Sequence, residues 1–163
     1  MRIGVISDTH GMLRPAVREA FRYVDRIIHC GDVGSPEILD QLSLLAPVSA
    51  VYGNTDRFDV RSRCTRVVKL ECEGRTVIAL HGDQFGMPTP NDLGAEYPDA
   101  DIILFGHTHK PVIEQLNQGM TVMNPGAAGA VRCSCRPTVG VVELHRENVP
   151  QARIVELGSA GHH

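Results

Sequence analysis

The sequence predicts an α/β fold in which two sheets pack face to face with helices outside. Three observations lead there. The first half alternates strand and helix patterns, the second half reads as hairpins, and no linker separates them. At 163 residues the chain suits one domain, placed at 1–157, able to bury well over half of its unfolded surface.

Residues 2–7, RIGVIS, form a short β-branched apolar run suited to a buried strand. RPAVREAFRYV (14–24) predicts a helix, with Ala16, Ala20 and Val24 at helical spacing and Pro15 near its start. DRIIHC (25–30) is the second strand. In SPEILDQLSLL, Ser35 takes the N-cap, Pro36 the first helical position, and Ile38, Leu42 and Leu45 share one face. VSAVY (48–52) is the third strand, and two successive β-α-β steps imply parallel pairing with right-handed crossovers. TRVVKLECEGRTVIALHGD predicts a hairpin about a Glu-Gly turn. NDLGAEY predicts a short helix before the strand DIILF (101–105). VIEQLNQGMTVMNPG and TVGVVELHRENVPQARIVEL predict two further hairpins.

Composition narrows the function classes. Aromatics are 4% and tryptophan is absent, so the core rests on Val, Ile, Leu and Ala. A net charge of −3 gives no nucleic-acid footprint, and no Lys/Arg cluster stands out. No apolar run approaches a membrane span, and the N-terminus lacks a signal-peptide cleavage site. The five cysteines, Cys30, Cys64, Cys72, Cys133 and Cys135, lack framework spacing and fit reduced thiols in a cytoplasm. The terminal GSAGHH (158–163) reads as a linker or clipped tag, so His162 and His163 are set aside.

The chemistry gathers at strand ends. RIGVIS leads into Asp8-Thr9-His10, DRIIHC into Gly31-Asp32, and VSAVY into Gly53-Asn54-Thr55-Asp56. TVIAL leads into His81-Gly82-Asp83 and DIILF into Gly106-His107-Thr108-His109. Taken singly, each reads as a turn or a hydrogen-bonded structural histidine. Five successive strand ends that all carry Asp, Asn or His point instead to a shared site, since ligands in α/β sheets bind beyond the carboxyl ends of strands. Four imidazoles (His10, His81, His107, His109), two carboxylates (Asp8, Asp32) and the Asn54 amide suit Mn²⁺, Fe²⁺, Zn²⁺, Co²⁺ or Ni²⁺. Seven side chains exceed one catalytic ion but fit two ions sharing a carboxylate, an arrangement for phosphate-ester chemistry.

These residues resemble the five ordered motifs of the calcineurin-like metallophosphoesterase superfamily, across residues 8 to 109. ISDTHG, HCGDV, VYGNTD, HGDQFG, FGHTH and NPG together look most like its small bacterial and archaeal phosphodiesterase subfamily. The resemblance implies a four-layer α-β-β-α sandwich, two mixed sheets packed face to face with flanking helices. It implies two divalent ions, with Mn²⁺ ahead of Ni²⁺, Fe²⁺, Zn²⁺ and Co²⁺. One ion would take Asp8, His10, Asp32 and His109, and the other Asp32, Asn54, His81 and His107. A hydroxide bridging them would attack a small phosphate ester, with Asp32, Asn54 and His107 central to catalysis. Relatives of this size form dimers or larger assemblies, so a homo-oligomer is a further expectation.

Some positions depart from the family's pattern. Thr55 stands where many members carry the histidine held to protonate the leaving group, and its hydroxyl is a poor acid. General acid catalysis is worth roughly 10²–10⁴-fold, so good leaving groups should be favoured. Asp56 is then a turn residue or an anchor, and His29 a candidate to orient a ligand. Asp83 stands where close relatives often show His; it and Thr55 are candidates for substrate contact. Arg57 reads as solvated, Cys133-Ser134-Cys135 as a loop, and His145 as lying on a strand face. A phosphomonoesterase remains an alternative, as does a non-catalytic scaffold like the sorting-complex subunit built on this fold.

Overall fold

The structure, a computed structural model, describes residues 1–130 and 135–158. Cys133, Ser134 and residues 159–163, read above as part of a loop and of a tag remnant, lie outside the described residues.

The first half builds a sheet from three parallel strands, β1 (Arg2–Ile6), β2 (Arg26–Cys30) and β3 (Val48–Val51). Helices α1 (Ala16–Ala20) and α2 (Pro36–Ser43) make the crossovers, and the short α3 (Phe58–Arg61) follows β3. The second sheet starts with the hairpin of β4 (Val67–Cys72) and β5 (Arg75–Leu80). After α4 (Pro90–Glu96) come β6 (Ile102–Leu104), β7 (Val112–Gln115) and β8 (Thr121–Asn124). The last hairpin, β9 (Thr138–Glu143) and β10 (Gln151–Glu156), returns to the first sheet. The orders are β10-β9-β1-β2-β3 and β4-β5-β6-β8-β7, both mixed.

The period-2 alternation of strands sorts the apolar residues into three cores. Ile3 and Val5 of β1 and Ile28 and Cys30 of β2 meet Val77, Ala79, Ile102 and Leu104 between the sheets. Ile6 and Ile27 face the other way, onto Val17 of α1 and Ile38, Leu39 and Leu42 of α2. On the second sheet Ile78, Leu80 and Ile103 face outward onto Leu93 of α4. The layers are therefore helix, sheet, sheet, helix, as the resemblance implies. Central strands buried on both faces need continuous apolar runs, and RIGVI, RIIHC and IIL supply them.

Some expectations change. The helix expected over 14–24 is confined to 16–20, because the chain must turn to start β2 beside β1. Asp25 anchors that turn, its N–H donating to the Arg2 carbonyl (2.7 Å) and its carboxylate accepting from the Arg2 N–H (2.6 Å). Ser35 sits at the N-cap, but its hydroxyl donates to Glu37 (2.7 Å) instead of capping the helix. His145 lies beyond β9 in an exposed segment, not on a strand face. The Glu73-Gly74 turn is as expected, with positive φ at both residues (52° and 72°), as a tight two-residue hairpin requires. Cys30, Cys64, Cys72 and Cys135 are free thiols. Among the described residues no helix is long and apolar enough to cross a membrane.

Leu104 is fully buried between the sheets. Leu104→Ala should cost about 2–5 kcal/mol of stability, read as a lower urea midpoint with an unchanged slope.

Candidate metal centre

The carboxyl ends of β1, β2 and β3 and of β5 and β6 meet at one edge of the sandwich. Cross-sheet contacts bring them together: the His81 ring nitrogen Nδ1 lies 2.8 Å from the Cys30 carbonyl, and the His107 N–H donates to Asp8 Oδ2 (3.2 Å). Two glycines make the approach possible. A Cβ on Gly106 would lie 2.0 Å from Ser7 Oγ, and one on Gly53 would lie 2.0 Å from Asp32 Oδ1.

Asp8 and Asp32 are buried, and each has its two oxygens in different roles. Asp8 Oδ2 accepts from Ser7 Oγ (2.6 Å) and the His107 N–H (3.2 Å). Its Oδ1 faces His109 Nε2 at 3.1 Å and His10 Nε2 at 3.8 Å, without a hydrogen bond of good geometry. Asp32 Oδ1 accepts from the Thr55 N–H (3.0 Å). Its Oδ2 faces His81 Nε2 at 3.2 Å and His10 Nε2 at 3.9 Å. The His10 and His109 rings meet edge to face with centroids 5.5 Å apart, and those of His81 and His107 do so at 5.1 Å. Two groups thus have ligand atoms within metal-sharing reach: Asp8 with His10 and His109, and Asp8 with Asp32 and His81.

The rings of His107 and His81 lie together, as do those of His109 and His10, although neither His107 nor His109 is on a strand. β6 stops at Leu104, and both histidines sit in the following loop with φ of 68° and 59°. Asp8, His10 and Asp32 also have left-handed backbone (55°, 46° and 51°). Non-glycine residues seldom adopt that region, and clustering of such strain is a mark of functional sites. Asn54 follows Gly53 at the rim and is exposed, its amide making no hydrogen bond among the described residues.

The supporting candidates separate by what they touch. Thr55 acts through its backbone, on Asp32. Asp56 is buried and its carboxylate accepts from the N–H groups of Val33 (3.1 Å), Gly34 (2.9 Å) and Gly53 (2.9 Å), tying the β2 and β3 loops together. Asp83 forms a two-pronged pair with Arg66, both contacts 2.9 Å. Arg57 is exposed. Sequence reasoning missed Ser7, for which SD at a strand end is the only signal, and the work done by Asn124. The Asn124 amide donates to the Gly106 carbonyl (2.8 Å) and Thr108 Oγ1 (3.0 Å), holding the histidine loop from the NPG turn.

Electrostatics follow from burial and these contacts. Burial alone would raise the Asp32 carboxyl, but His81 and the Thr55 N–H hold it far below the usual carboxylate range. Burial opposes charge on His81, yet Asp32 raises it above the ordinary imidazole value. Likewise burial works to raise Asp83, and Arg66 keeps it low. His29 is fully buried, and desolvation lowers it to about 4. The Gly31 N–H donates to its Nδ1 (3.2 Å), so Nε2 carries the proton and donates to Thr9 Oγ1 (2.9 Å), which donates to the Val33 carbonyl (2.8 Å). His29 therefore orders the backbone flanking Asp8, His10 and Asp32 and orients no ligand side chain directly.

The family model for the calcineurin-like phosphoesterase superfamily domain matches residues 1–147. The chain belongs to that superfamily. A probable metallophosphoesterase of Methanothermobacter thermautotrophicus is 38% identical, over 98% of this chain and 94% of that protein. A phosphodiesterase of Methanocaldococcus jannaschii is 27% identical, over 90% of this chain and 95% of that protein. Among solved structures, Vps29 of Entamoeba histolytica complexed with zinc superposes with a TM-score of 0.78 at 19% identity, covering 97% of this chain and all (100%) of that one. Vacuolar protein sorting 29 of Cryptosporidium parvum gives 0.79 at 20% identity, covering 97% and 98%. At those identities the structural likeness speaks for the fold alone. Family membership makes the chain a phosphoesterase of the metal-dependent kind, and Asp8, His10, Asp32, His81 and His109 are its candidate ligand groups.

His29 sets a pH dependence. Its folded value of about 4 lies below the unfolded 6.5, so unfolding takes up a proton between them. The stability that a neutral His29 contributes is complete above pH 6.5 and is lost as pH falls toward 4. In metal-free protein, urea unfolding should show a slope of at most about 1.4 kcal/mol per pH unit from this group, absent in His29→Gln.

Proposed function

We propose that this chain is a phosphodiesterase that cleaves small phosphate diesters with two divalent cations. Asp8, His10, Asp32 and His109 would hold one cation, and Asp32, Asn54, His81 and His107 the other, with Mn²⁺ the foremost candidate. The observation that carries the reading is the division of labour within the two buried carboxylates. In each, one oxygen is fixed by protein donors and the other is left facing imidazoles. Asp8 Oδ1 and His81 Nε2 are buried without a hydrogen bond among the described residues, a cost of about 1–3 kcal/mol each that a cation would remove. Asp32 Oδ2 reaches toward both His10 and His81, as a shared ligand should. When bound, the cations supply Lewis acidity at the phosphoryl oxygens and a hydroxide nucleophile at neutral pH.

The chain's own residues shape the rest. Thr55 holds Asp32 through its N–H and offers no acidic proton, so the leaving group must depart with little help. Diesters with acidic leaving groups are then cleaved in preference to monoesters.

The test uses metal-stripped protein with each divalent ion restored singly. Bis-p-nitrophenyl phosphate should be hydrolysed once Mn²⁺ or Ni²⁺ is added, and p-nitrophenyl phosphate less efficiently. Asn54→Ala should lower diester turnover about hundredfold or more. Elemental analysis should find two ions per chain in the wild type. Bound metal without turnover of either ester would replace this reading with a binding role.

A further inference from the structure

Four arginines, Arg57, Arg61, Arg63 and Arg66, crowd the segment from 57 to 66, a local density that the net charge of −3 conceals. Two of them converge on one ring. The guanidinium carbons of Arg61 and Arg66 lie 4.8 Å and 5.5 Å from the centroid of Tyr52. Tyr52 directly precedes Gly53, whose backbone packs on Asp32, and Arg66 on the same ring pairs with Asp83, two residues beyond His81.

The two guanidiniums differ in what they have left to give. Arg66 is committed to the Asp83 carboxylate and to Gln84 Oε1 (3.1 Å). Arg63, further out, is paired with Asp40 (2.7 Å). Arg61 donates its Nε–H to the Asp56 carbonyl (2.7 Å), and its terminal nitrogens meet no carboxylate or other acceptor among the described residues. Anchored at Nε and stacked on a ring, it is not a free-swinging surface chain. Its charge is placed in advance and its fork is unspent, the form in which arginine recognises phosphate or carboxylate.

We propose that Arg61, held on Tyr52, is a rim site for a second anionic group of the substrate, so that the preferred substrates are phosphodiesters carrying an additional phosphate or carboxylate. The scissile ester would lie at the metal centre and the second charge beyond Tyr52. The inference rests on the phosphodiesterase reading for the cleaved group only; the rim contact can be measured without turnover.

The experiment compares thymidine 5′-(p-nitrophenyl phosphate) with its 3′-phosphorylated analogue on the metal-loaded full chain. The added phosphate should lower KM about tenfold in the wild type. Arg61→Ala should abolish that ratio, Arg61→Lys should restore part of it, and raising salt should narrow it, because exposed charges are screened. The ratio is taken within each protein, so partial loss of folded material cancels. Calorimetry with thymidine 5′-phosphate and thymidine 3′,5′-bisphosphate reads the same preference as binding. Equal KM values in the wild type, or a preference that survives Arg61→Ala, would overturn the proposal. If neither ester is cleaved yet the bisphosphate binds more tightly only when Arg61 is present, the hydrolase reading falls and the rim site stands.

Discussion

Two carboxylates buried within a few ångströms of four imidazoles are the constraint that shapes this molecule. Asp8 and Asp32 enter from the first sheet, while His81, His107 and His109 enter from the second. Burying an ionised carboxylate is costly unless donors or a cation meet it. Ser7, the His107 N–H and the Thr55 N–H meet half of each need, and the remaining oxygens define the site. The sheets must therefore be in register at this edge to within hydrogen-bond tolerance. The contacts of His81 with Cys30 and of Gly106 with Ser7 show where that register is set.

Backbone strain is the second consequence. Among the described residues, five of the seven non-glycine residues with positive φ are Asp8, His10, Asp32, His107 and His109, and the other two, Glu73 and Gln118, lie in hairpin turns. Each such residue costs on the order of 1 kcal/mol. The scaffold offsets that cost through three apolar cores and the clamps made by Asp56, His29 and Asn124, none of which points a charge into the site.

Much of this was legible in the sequence, for identifiable reasons. RIGVI, RIIHC and IIL announce doubly buried strands because no polar face interrupts them, and the hairpins declare themselves by alternation and turn residues. The site was legible because every metal-type side chain falls just after such a run. What escaped was contact information. Ser7 and Asn124 are ordinary polar residues whose partners are distant in sequence. The orientations of His107 and His109 depend on a left-handed loop that local propensity disfavours. The arginines of 57–66 were hidden because charge was read as a total, when their meaning lies in convergence on Tyr52.

Asp56 shows how the parts are coupled. Its carboxylate holds the N–H groups of Val33, Gly34 and Gly53, fixing the loops that carry Asp32 and Asn54. Its carbonyl holds Arg61. One residue thus holds both the loops that carry the candidate ligands Asp32 and Asn54 and the anchored guanidinium of Arg61. A change at Asp56 would disturb both together, whereas a change at Arg61 would leave the Asp56 carboxylate contacts in place. On the proposed reading, selectivity would be adjustable in the segment after β3, while the chemistry would be held by the residues that end the strands.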